Sequence, residues 1–155
     1  MDQIYTHPKR KTKVVFVQLG SPSEPTTKAL RKYLRKFLGD PRVVDINPWL
    51  WKIILNFFVL PFRPKKSAKL YARIWDGKSF PLITNTRDFT NNVREELKKI
   101  DLNGHVEVNH AFLLSPPYVN EVYDSWEDDL KKGIGATKLL VIPMFPQYSE
   151  SKIAS

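Results

Sequence analysis

Three short segments with strand character, separated by longer segments with helical periodicity, constrain the fold of this chain more than any other feature of its sequence. Residues 13–19 and 138–144 are apolar runs rich in Val, Leu and Ile, and residues 106–111 form a second, more polar strand segment. Continuous apolar runs of this length are typical of strands buried on both faces. Strands joined by helices pair in parallel, because a parallel pair needs a long crossover connection. The sequence therefore predicts an α/β fold, a doubly wound parallel sheet with strand order 2-1-3 and helices on both faces.

The segment after the first run shows the clearest amphipathic pattern. A turn at residues 20–25 contains Gly, Ser and Pro, and helical spacing begins at Thr26 or Thr27. One face of this predicted helix is apolar, the opposite face is basic, and Gly39 ends it. The apolar face comprises Leu30, Tyr33, Leu34, Phe37 and Leu38. Further helices are predicted over residues 67–75, 84–99 and 117–130.

Residues 49–62 form a segment that is apolar on nearly every side. Its 14 residues include Lys52 and fall short of the about 20 that a membrane-spanning helix needs. A helix without a polar face is either buried or docked on something apolar. Two interpretations stay open: the segment belongs to the core, or it forms a lip that faces a substrate or a membrane.

The composition is that of a globular protein and limits the cofactors that this chain can bind. Apolar residues make up 42% and charged residues 26% of the 155-residue chain. The absence of cysteine excludes disulfides and cysteine-ligated zinc or iron–sulfur sites within the chain. The polar N-terminus is unlike a secretory signal, which favours a cytoplasmic location. We expect residues 1–12 to form a flexible basic leader and residues 13–155 to form one domain.

Positive charge is concentrated in the first half. Residues 1–80 contain 17 Lys or Arg and 5 Asp or Glu, whereas residues 81–155 contain 8 and 11. This asymmetry favours an anionic partner, such as nucleic acid, anionic lipid or a small acidic ligand. A basic surface that meets only solvent is the plain alternative. Nucleic acid is the least favoured partner, because the chain contains no helix-turn-helix, RNP string or zinc knuckle.

Four short strings follow one another in a fixed order. They are Gln18-Leu-Gly-Ser-Pro22, Tyr33-Leu-Arg-Lys-Phe-Leu-Gly-Asp-Pro-Arg-Val-Val44, Leu60-Pro-Phe-Arg-Pro-Lys-Lys-Ser-Ala68 with Tyr71 and Ile74-Trp75, and Pro146-Gln-Tyr-Ser149. Together they resemble the ferrochelatase family, whose members insert ferrous iron into a porphyrin in heme biosynthesis. The resemblance extends from Val14 to Ser155, matches the N-terminal half of a protoporphyrin or coproporphyrin ferrochelatase, and covers about half of the family's length.

The resemblance implies a fold of two Rossmann-like, chelatase-like halves around a porphyrin cleft, with the apolar segment as a helical lip beside the cleft mouth. Its substrates would be ferrous iron and porphyrin, without an iron–sulfur cluster. The catalytic histidine and its partner glutamate belong to the second half, so we expect no catalytic residue and no metal ligand in this chain. The chain alone is then expected to be inactive. A peripheral association with an anionic membrane surface is a further expectation.

Four substrate-binding residues are carried over from the resemblance. Arg63 matches an arginine at the rim of the porphyrin cleft, where a guanidinium can form two hydrogen bonds with a propionate. Tyr71 matches a position near the ring, and Leu19 matches one at the pocket floor. Ser149 lies on the loop that faces the pocket. The plain alternatives are an exposed charge for Arg63, core positions for Tyr71 and Leu19, and a turn residue for Ser149.

This sequence also departs from the family pattern. Leu113 and Leu114 stand where many members have an Arg-Tyr pair, and Phe80 stands where a serine often meets a propionate. These changes predict a more apolar pocket and a divergent member. The three histidines do not replace the family's catalytic base. His7 lies in the leader, His105 starts a strand and His110 ends one. A histidine at the end of a strand more often has a structural role than a catalytic one.

Other functions remain open from the sequence. A single-domain chelatase that pairs with a second copy would rebuild the two-half cleft. A non-catalytic tetrapyrrole-binding module would need only the slot, and a peripheral membrane module would use the lip and the basic leader. The ferrochelatase-like interpretation explains both the apolar lip and the basic rim.

Overall fold

A computed structural model describes residues 11–100 and 106–145 of the chain. The three strands are separated by helices, as the sequence predicts. The elements are, in order, β1 (Thr12–Gln18), α1 (Thr27–Leu38), α2 (Pro48–Ile54), a π-helical turn (Leu55–Val59), α3 (Leu60–Tyr71), a 3-10 turn (Ala72–Ile74), α4 (Pro81–Lys99), β2 (Val106–Phe112), α5 (Val119–Lys131) and β3 (Lys138–Pro143).

The three strands form one parallel sheet in the order β2-β1-β3. The register pairs Thr12 with Val106 on one side and with Lys138 on the other. Both neighbours of β1 follow it in sequence only after a helical connection, as parallel pairing requires. The predicted α/β class, the parallel sheet flanked by helices and the 2-1-3 order are confirmed.

The described chain divides into two compact units. One, which we call the sheet unit, contains residues 11–18, 86–100, 106–112 and 117–144. The other, the helical unit, contains residues 19–85, 113–116 and 145. The predicted domain over residues 13–155 thus contains two compact parts, and β1 begins one residue before its predicted boundary. The rest of the predicted leader, residues 1–10, lies outside the described residues.

The core of the sheet unit surrounds the central strand. Val15 and Val17 are buried, and the ring of Phe16 meets that of Phe89 from α4 edge-on, with centroids 5.0 Å apart. The α5 helix is tied to the chain before β3, because the indole Nε1 of Trp126 donates a hydrogen bond of 2.9 Å to the carbonyl of Ala136.

The core of the helical unit lies where α1 packs on α3 and the π-helical turn. It comprises Tyr33, Leu34, Leu38, Leu55 and Leu60. The hydroxyl of Thr26 accepts a hydrogen bond from the Ala29 N–H and caps α1, and Gly39 is the C-cap, as the sequence predicts.

The helix that follows the apolar segment begins earlier than the sequence indicates. The sequence predicts a helix over residues 67–75, yet α3 already begins at Leu60 and contains Pro64. Proline has no N–H to bond the carbonyl of the residue four positions before it, which here is Leu60. The guanidinium Nε of Arg31 donates to that carbonyl at 3.2 Å. A bond from α1 therefore satisfies the group that Pro64 leaves open.

Candidate functional site

The segment of residues 49–62, which we call the apolar lip, exposes most of its large side chains. Trp49, Phe57 and Phe62 are 79%, 71% and 72% exposed. Only Leu55 and Leu60 of this segment are fully buried. This exposure contradicts the interpretation as plain core, and the interpretation as a lip that faces a substrate or a membrane stays a prediction. Among the described residues, no helix is long and apolar enough to cross a membrane.

An aromatic cluster lies at the C-terminal end of α3. Tyr71 meets Tyr33 of α1 with ring centroids 6.5 Å apart and meets Phe80 edge-on at 5.4 Å. Trp75 lies 4.7 Å from Phe80, and Phe37 stacks on Tyr33 at 6.3 Å. Such pairs contribute about 0.5–1.5 kcal/mol each beyond the burial of their area. These contacts hold the half-buried ring of Tyr71 in place.

The two tyrosines of this cluster are neutral hydrogen-bonding groups at ordinary pH. Burial raises the pKa of the Tyr33 hydroxyl well above its usual range, and the nearby Tyr71 raises it further. Burial also raises the pKa of Tyr71. The Tyr33 hydroxyl donates a hydrogen bond of 3.3 Å to the carbonyl of Gly20. Tyr33 therefore connects Tyr71 with the turn that follows β1.

Leu19 lies in this turn and is half-buried. Its carbonyl accepts a hydrogen bond of 3.0 Å from the Leu114 N–H. The hydroxyl of Ser115 accepts one of 3.3 Å from the Ser21 N–H. The side chain of Leu114 packs against the core of the helical unit. The leucine that departs from the family pattern here thus has a packing role.

Arg63 projects from α3 two turns before Tyr71 and is exposed. Eight residues of helix separate the two Cα atoms by about 12 Å along the axis. Within residues 11–100 and 106–145, no acidic side chain forms an ion pair with this arginine. Its neighbour Phe62 belongs to the lip. The helix therefore presents a cation beside apolar surface, with an ordered tyrosine farther along.

The structure thus brings three of the four predicted residues into one unit. Leu19 and Tyr71 are linked through Tyr33, and Arg63 shares a helix with Tyr71. Ser149 lies outside the described residues. Tyr33 and Trp75 also belong to the aromatic cluster, but they were not predicted as site residues, although both lie within the matching strings.

Phe80 lies in the core of the cluster and is 2% exposed. A turn before it is fixed by the Asp76 carboxylate, which accepts hydrogen bonds from the N–H groups of Lys78 and Ser79 at 2.8 and 2.6 Å. These bonds from Ser79 and Lys78 lower the pKa of Asp76. Phe80 therefore adds apolar volume to the interior of the helical unit.

His110 belongs to the sheet unit and lies within β2, which extends two residues beyond it. Its Nδ1 atom is buried, and no described residue forms a hydrogen bond with it. Burial lowers the pKa of this histidine, and the nearby charges of Arg94 and Arg87 lower it further. A neutral imidazole results. His7 and His105 lie outside the described residues, among which no group of three His, Asp or Glu side chains stands ready for a metal ion.

Comparison with known proteins decides the family. A sequence profile of the ferrochelatase family matches residues 11–155. The chain belongs to the ferrochelatase family. It is similar to the ferrochelatase of Idiomarina loihiensis, with 40% identity over 142 residues, 92% of this chain and 37% of that protein. It is also similar to ferrochelatase 1 of Shewanella oneidensis, with 39% identity over 150 residues, 97% of this chain and 43% of that protein.

A third ferrochelatase, from Herminiimonas arsenicoxydans, is 42% identical over 153 residues, which are 97% of this chain and 39% of that relative. The chain spans about two fifths of the length of the curated ferrochelatases that it matches. The predicted resemblance is confirmed, and the share of the family's length is smaller than the predicted half.

Proposed function

We propose that this chain supplies a porphyrin-binding part of a ferrochelatase, the enzyme that inserts ferrous iron into a porphyrin in heme biosynthesis. Membership of the family supports the reaction class. The observation that carries the proposal is on α3, where an exposed arginine lies beside the apolar lip and on the same helix as an ordered tyrosine. A porphyrin combines a flat apolar ring with anionic propionates, and these are the two kinds of group that such a surface can hold.

Arg63 is the proposed partner of a propionate. Its guanidinium can donate two parallel hydrogen bonds to one carboxylate, which a lysine cannot do. Because no described acidic side chain forms an ion pair with it, the group is available for this contact. A porphyrin ring placed over the neighbouring apolar side chains would exclude water and so strengthen the ion pair between Arg63 and the propionate.

Tyr71 and Leu19 are the proposed contacts of the ring itself. Tyr71 is held by Tyr33 and Phe80, so little side-chain entropy is lost when a flat ligand packs on it. Leu19 is half-buried in a turn fixed by Leu114. Ser149 stays part of this proposal on the strength of the Pro146-Gln-Tyr-Ser149 string alone.

The proton chemistry of metal insertion is assigned to groups outside this chain. Insertion requires a base that removes the pyrrole protons, and a positioned base contributes about 10²–10⁴-fold. His110 is half-buried in the sheet unit with a lowered pKa, which fits a structural role better. We propose that the family's histidine and glutamate act from a polypeptide segment that this chain does not match, and that ferrous iron is a substrate. A second copy of this chain is the alternative source of a base.

A membrane surface is a second proposed partner, because the lip exposes aromatic side chains next to basic ones. Trp49, Phe57 and Phe62 are exposed, and Lys65 and Lys66 follow on α3. Apolar side chains that enter the headgroup region, together with cations that attract anionic lipid, bind a protein peripherally. The cytoplasmic location stays a prediction from the sequence.

A titration of the 155-residue chain into free-base porphyrin tests the main proposal. Saturable changes in porphyrin absorbance and fluorescence are expected, with a dissociation constant in the micromolar range or weaker, since only part of the slot is present. A titration that stays linear up to the solubility of the protein would contradict the proposal.

A further inference from the structure

One turn of α3 lacks the backbone hydrogen bond that would close it. Pro64 lies inside the helix and has no N–H for the carbonyl of Leu60, four residues before it. Leu60 is 2% exposed, and a buried carbonyl without a partner is costly. Arg63 lies within the same turn. The residue that we propose as the propionate partner therefore stands on a turn that its own backbone does not close.

Arg31 of α1 supplies the missing bond. Its Nε atom donates to the Leu60 carbonyl at 3.2 Å, and hydrogen bonds from a charged donor are stronger than neutral ones. Within residues 11–100 and 106–145, no carboxylate forms an ion pair with Arg31. The bond to Leu60 is therefore the contact that orients this guanidinium in the described part of the chain.

A second bond ties the other end of the same segment to α1. The indole Nε1 of Trp51 donates to the Leu38 carbonyl at 2.6 Å. This carbonyl is one of the last in α1, where the helix itself provides no donor. The chain between Trp51 and Leu60 is thus bonded to α1 at both ends. Phe57 and Phe58, which lie between these bonds, are 71% and 66% exposed. The α1 helix therefore supports both the lip and the start of α3.

We propose that Arg31 is a positioning residue for porphyrin binding, because its bond to the Leu60 carbonyl fixes the turn of α3 from which Arg63 projects. The inference rests on the proposed function for the role of Arg63. Without the bond, the turn between Leu60 and Pro64 opens more readily, and the guanidinium of Arg63 samples more positions. A guanidinium that is held in place before the ligand arrives loses less entropy on binding. Arg31 then acts on the propionate through Arg63 and does not touch the ligand.

Two other roles for Arg31 predict different behaviour. A guanidinium that itself bound a propionate would contribute independently of Arg63, because a porphyrin with several propionates offers each arginine a separate carboxylate. A purely structural bond would stabilise the helical unit and affect every ligand alike. Double-mutant cycles separate these roles, since residues that act through one another give non-additive losses.

Porphyrin binding by the 155-residue chain is the first measurement. Arg31→Met keeps an apolar stem and removes every donor. It should weaken binding of a propionate-bearing free-base porphyrin about three- to fivefold, at most the loss expected for Arg63→Ala, and leave binding of the same porphyrin esterified at its propionates unchanged. In the Arg63→Ala background, Arg31→Met should have no further effect. Arg35→Met removes an exposed cation one turn later on α1 and should change neither affinity.

Pro64→Ala provides a rescue that neither a direct contact nor a charge effect of Arg31 predicts. Alanine at this position restores the N–H, so α3 can close its own bond to the Leu60 carbonyl. In the Pro64→Ala background, Arg31→Met should therefore weaken binding of the propionate-bearing porphyrin less than twofold. An equal loss in both backgrounds would overturn the inference.

Amide hydrogen exchange tests the same bond without a ligand. In the Arg31→Met chain, the Arg63 and Lys65 amides should exchange about tenfold faster, because the start of α3 opens more often. The Val93 amide of α4, which belongs to the sheet unit, should keep its rate and serves as the control for global unfolding. Adding Pro64→Ala to Arg31→Met should return the two α3 amides to about the rate of the starting chain.

Each remaining outcome decides a separate point, and none of these requires the Pro64→Ala protein to fold. Unchanged exchange of the Arg63 amide in a folded Arg31→Met chain would overturn the inference, whether or not porphyrin binds. Additive losses for Arg31→Met and Arg63→Ala would identify Arg31 as a direct ligand contact and overturn its positioning role. Equal losses for the acid and the ester would overturn it in favour of a structural role. Faster exchange in a chain that binds no porphyrin would support the hold of Arg31 on α3 and count against the proposed function.

Discussion

Tyr71 and Phe80 meet edge to face, with ring centroids 5.4 Å apart and ring planes at 83°. Phe80 is 2% exposed and also touches Trp75, whereas Tyr71 is half-buried and reaches the surface. A core residue therefore sets the orientation of the ring that we propose as a porphyrin contact. The family serine that Phe80 replaces would leave this space empty.

Restoring that serine should destabilise the protein. Phe80→Ser opens a cavity among aromatic rings and buries a hydroxyl, so we expect a loss of about 3–5 kcal/mol in the free energy of unfolding, measured in urea. Phe80→Leu keeps most of the apolar volume and should cost about 1–2 kcal/mol. A serine variant as stable as the starting protein would show that the cluster does not depend on this ring.

The protein should become less stable at acidic pH because of His110. The folded-state pKa of this histidine is lowered by burial and by Arg94 and Arg87, so the unfolded chain binds a proton more readily, with a pKa of about 6.5. The free energy of unfolding should therefore decrease as the pH falls below about 6.5 towards the folded-state pKa.

His110→Asn removes this titration and should flatten the decrease between about pH 7 and about pH 5.5, measured by urea unfolding at each pH. His7→Asn and His105→Asn are the controls, because each likewise replaces one imidazole of the chain with the same side chain. If a control variant flattens the profile and His110→Asn does not, the pH dependence has another origin.

Iron insertion should need more than this chain. The purified chain, given ferrous iron and porphyrin without oxygen, should not consume free-base porphyrin above the uncatalysed rate, because the proposed base lies elsewhere. A chimaera in which this chain replaces the 142 matched residues of the Idiomarina loihiensis ferrochelatase should consume it. Robust insertion by the chain alone, accompanied by a dimer in size-exclusion chromatography, would favour the self-pairing chelatase, and His110 would then be the first residue to replace.

The lip should bind anionic membranes through its aromatic side chains. Phe57 is 71% exposed, and Phe57→Ser should weaken co-sedimentation with phosphatidylserine vesicles about tenfold, as expected for the loss of one buried phenyl ring. Tyr123→Ser removes an exposed aromatic ring of the sheet unit and should have little effect. Equal losses for the two variants would show that the lip is not the contact.

Local patterns predicted most of the fold. The periodicity of α1 and its Gly39 cap predicted the helix, and the three strand segments with helices between them predicted the parallel sheet. The π-helical turn and the early start of α3 were not predictable, because Arg31 satisfies the carbonyl that Pro64 leaves open, and such a contact between helices has no signature in the sequence.

The candidate site was predicted only in part, because contacts between helices again have no signature in the sequence. The matching strings indicate Arg63 and Tyr71, but not their support by Tyr33 and Phe80, which depends on packing between α1 and the end of α3. The strand pattern of β3 predicted a buried strand, and the structure has an exposed one. An apolar pattern indicates that a strand can be covered on its faces, but it does not show whether covering elements are present.

The most direct test of the central claim, that Arg63 holds a propionate, is a binding cycle with two ligands. Arg63→Ala should weaken binding of a propionate-bearing porphyrin by about 1 kcal/mol, roughly fivefold, since the arginine is exposed. It should leave binding of the same porphyrin esterified at its propionates unchanged. Lys65→Ala, on the opposite side of α3, should affect neither ligand. Equal losses for the acid and the ester, or the same loss with Lys65→Ala, would contradict the account.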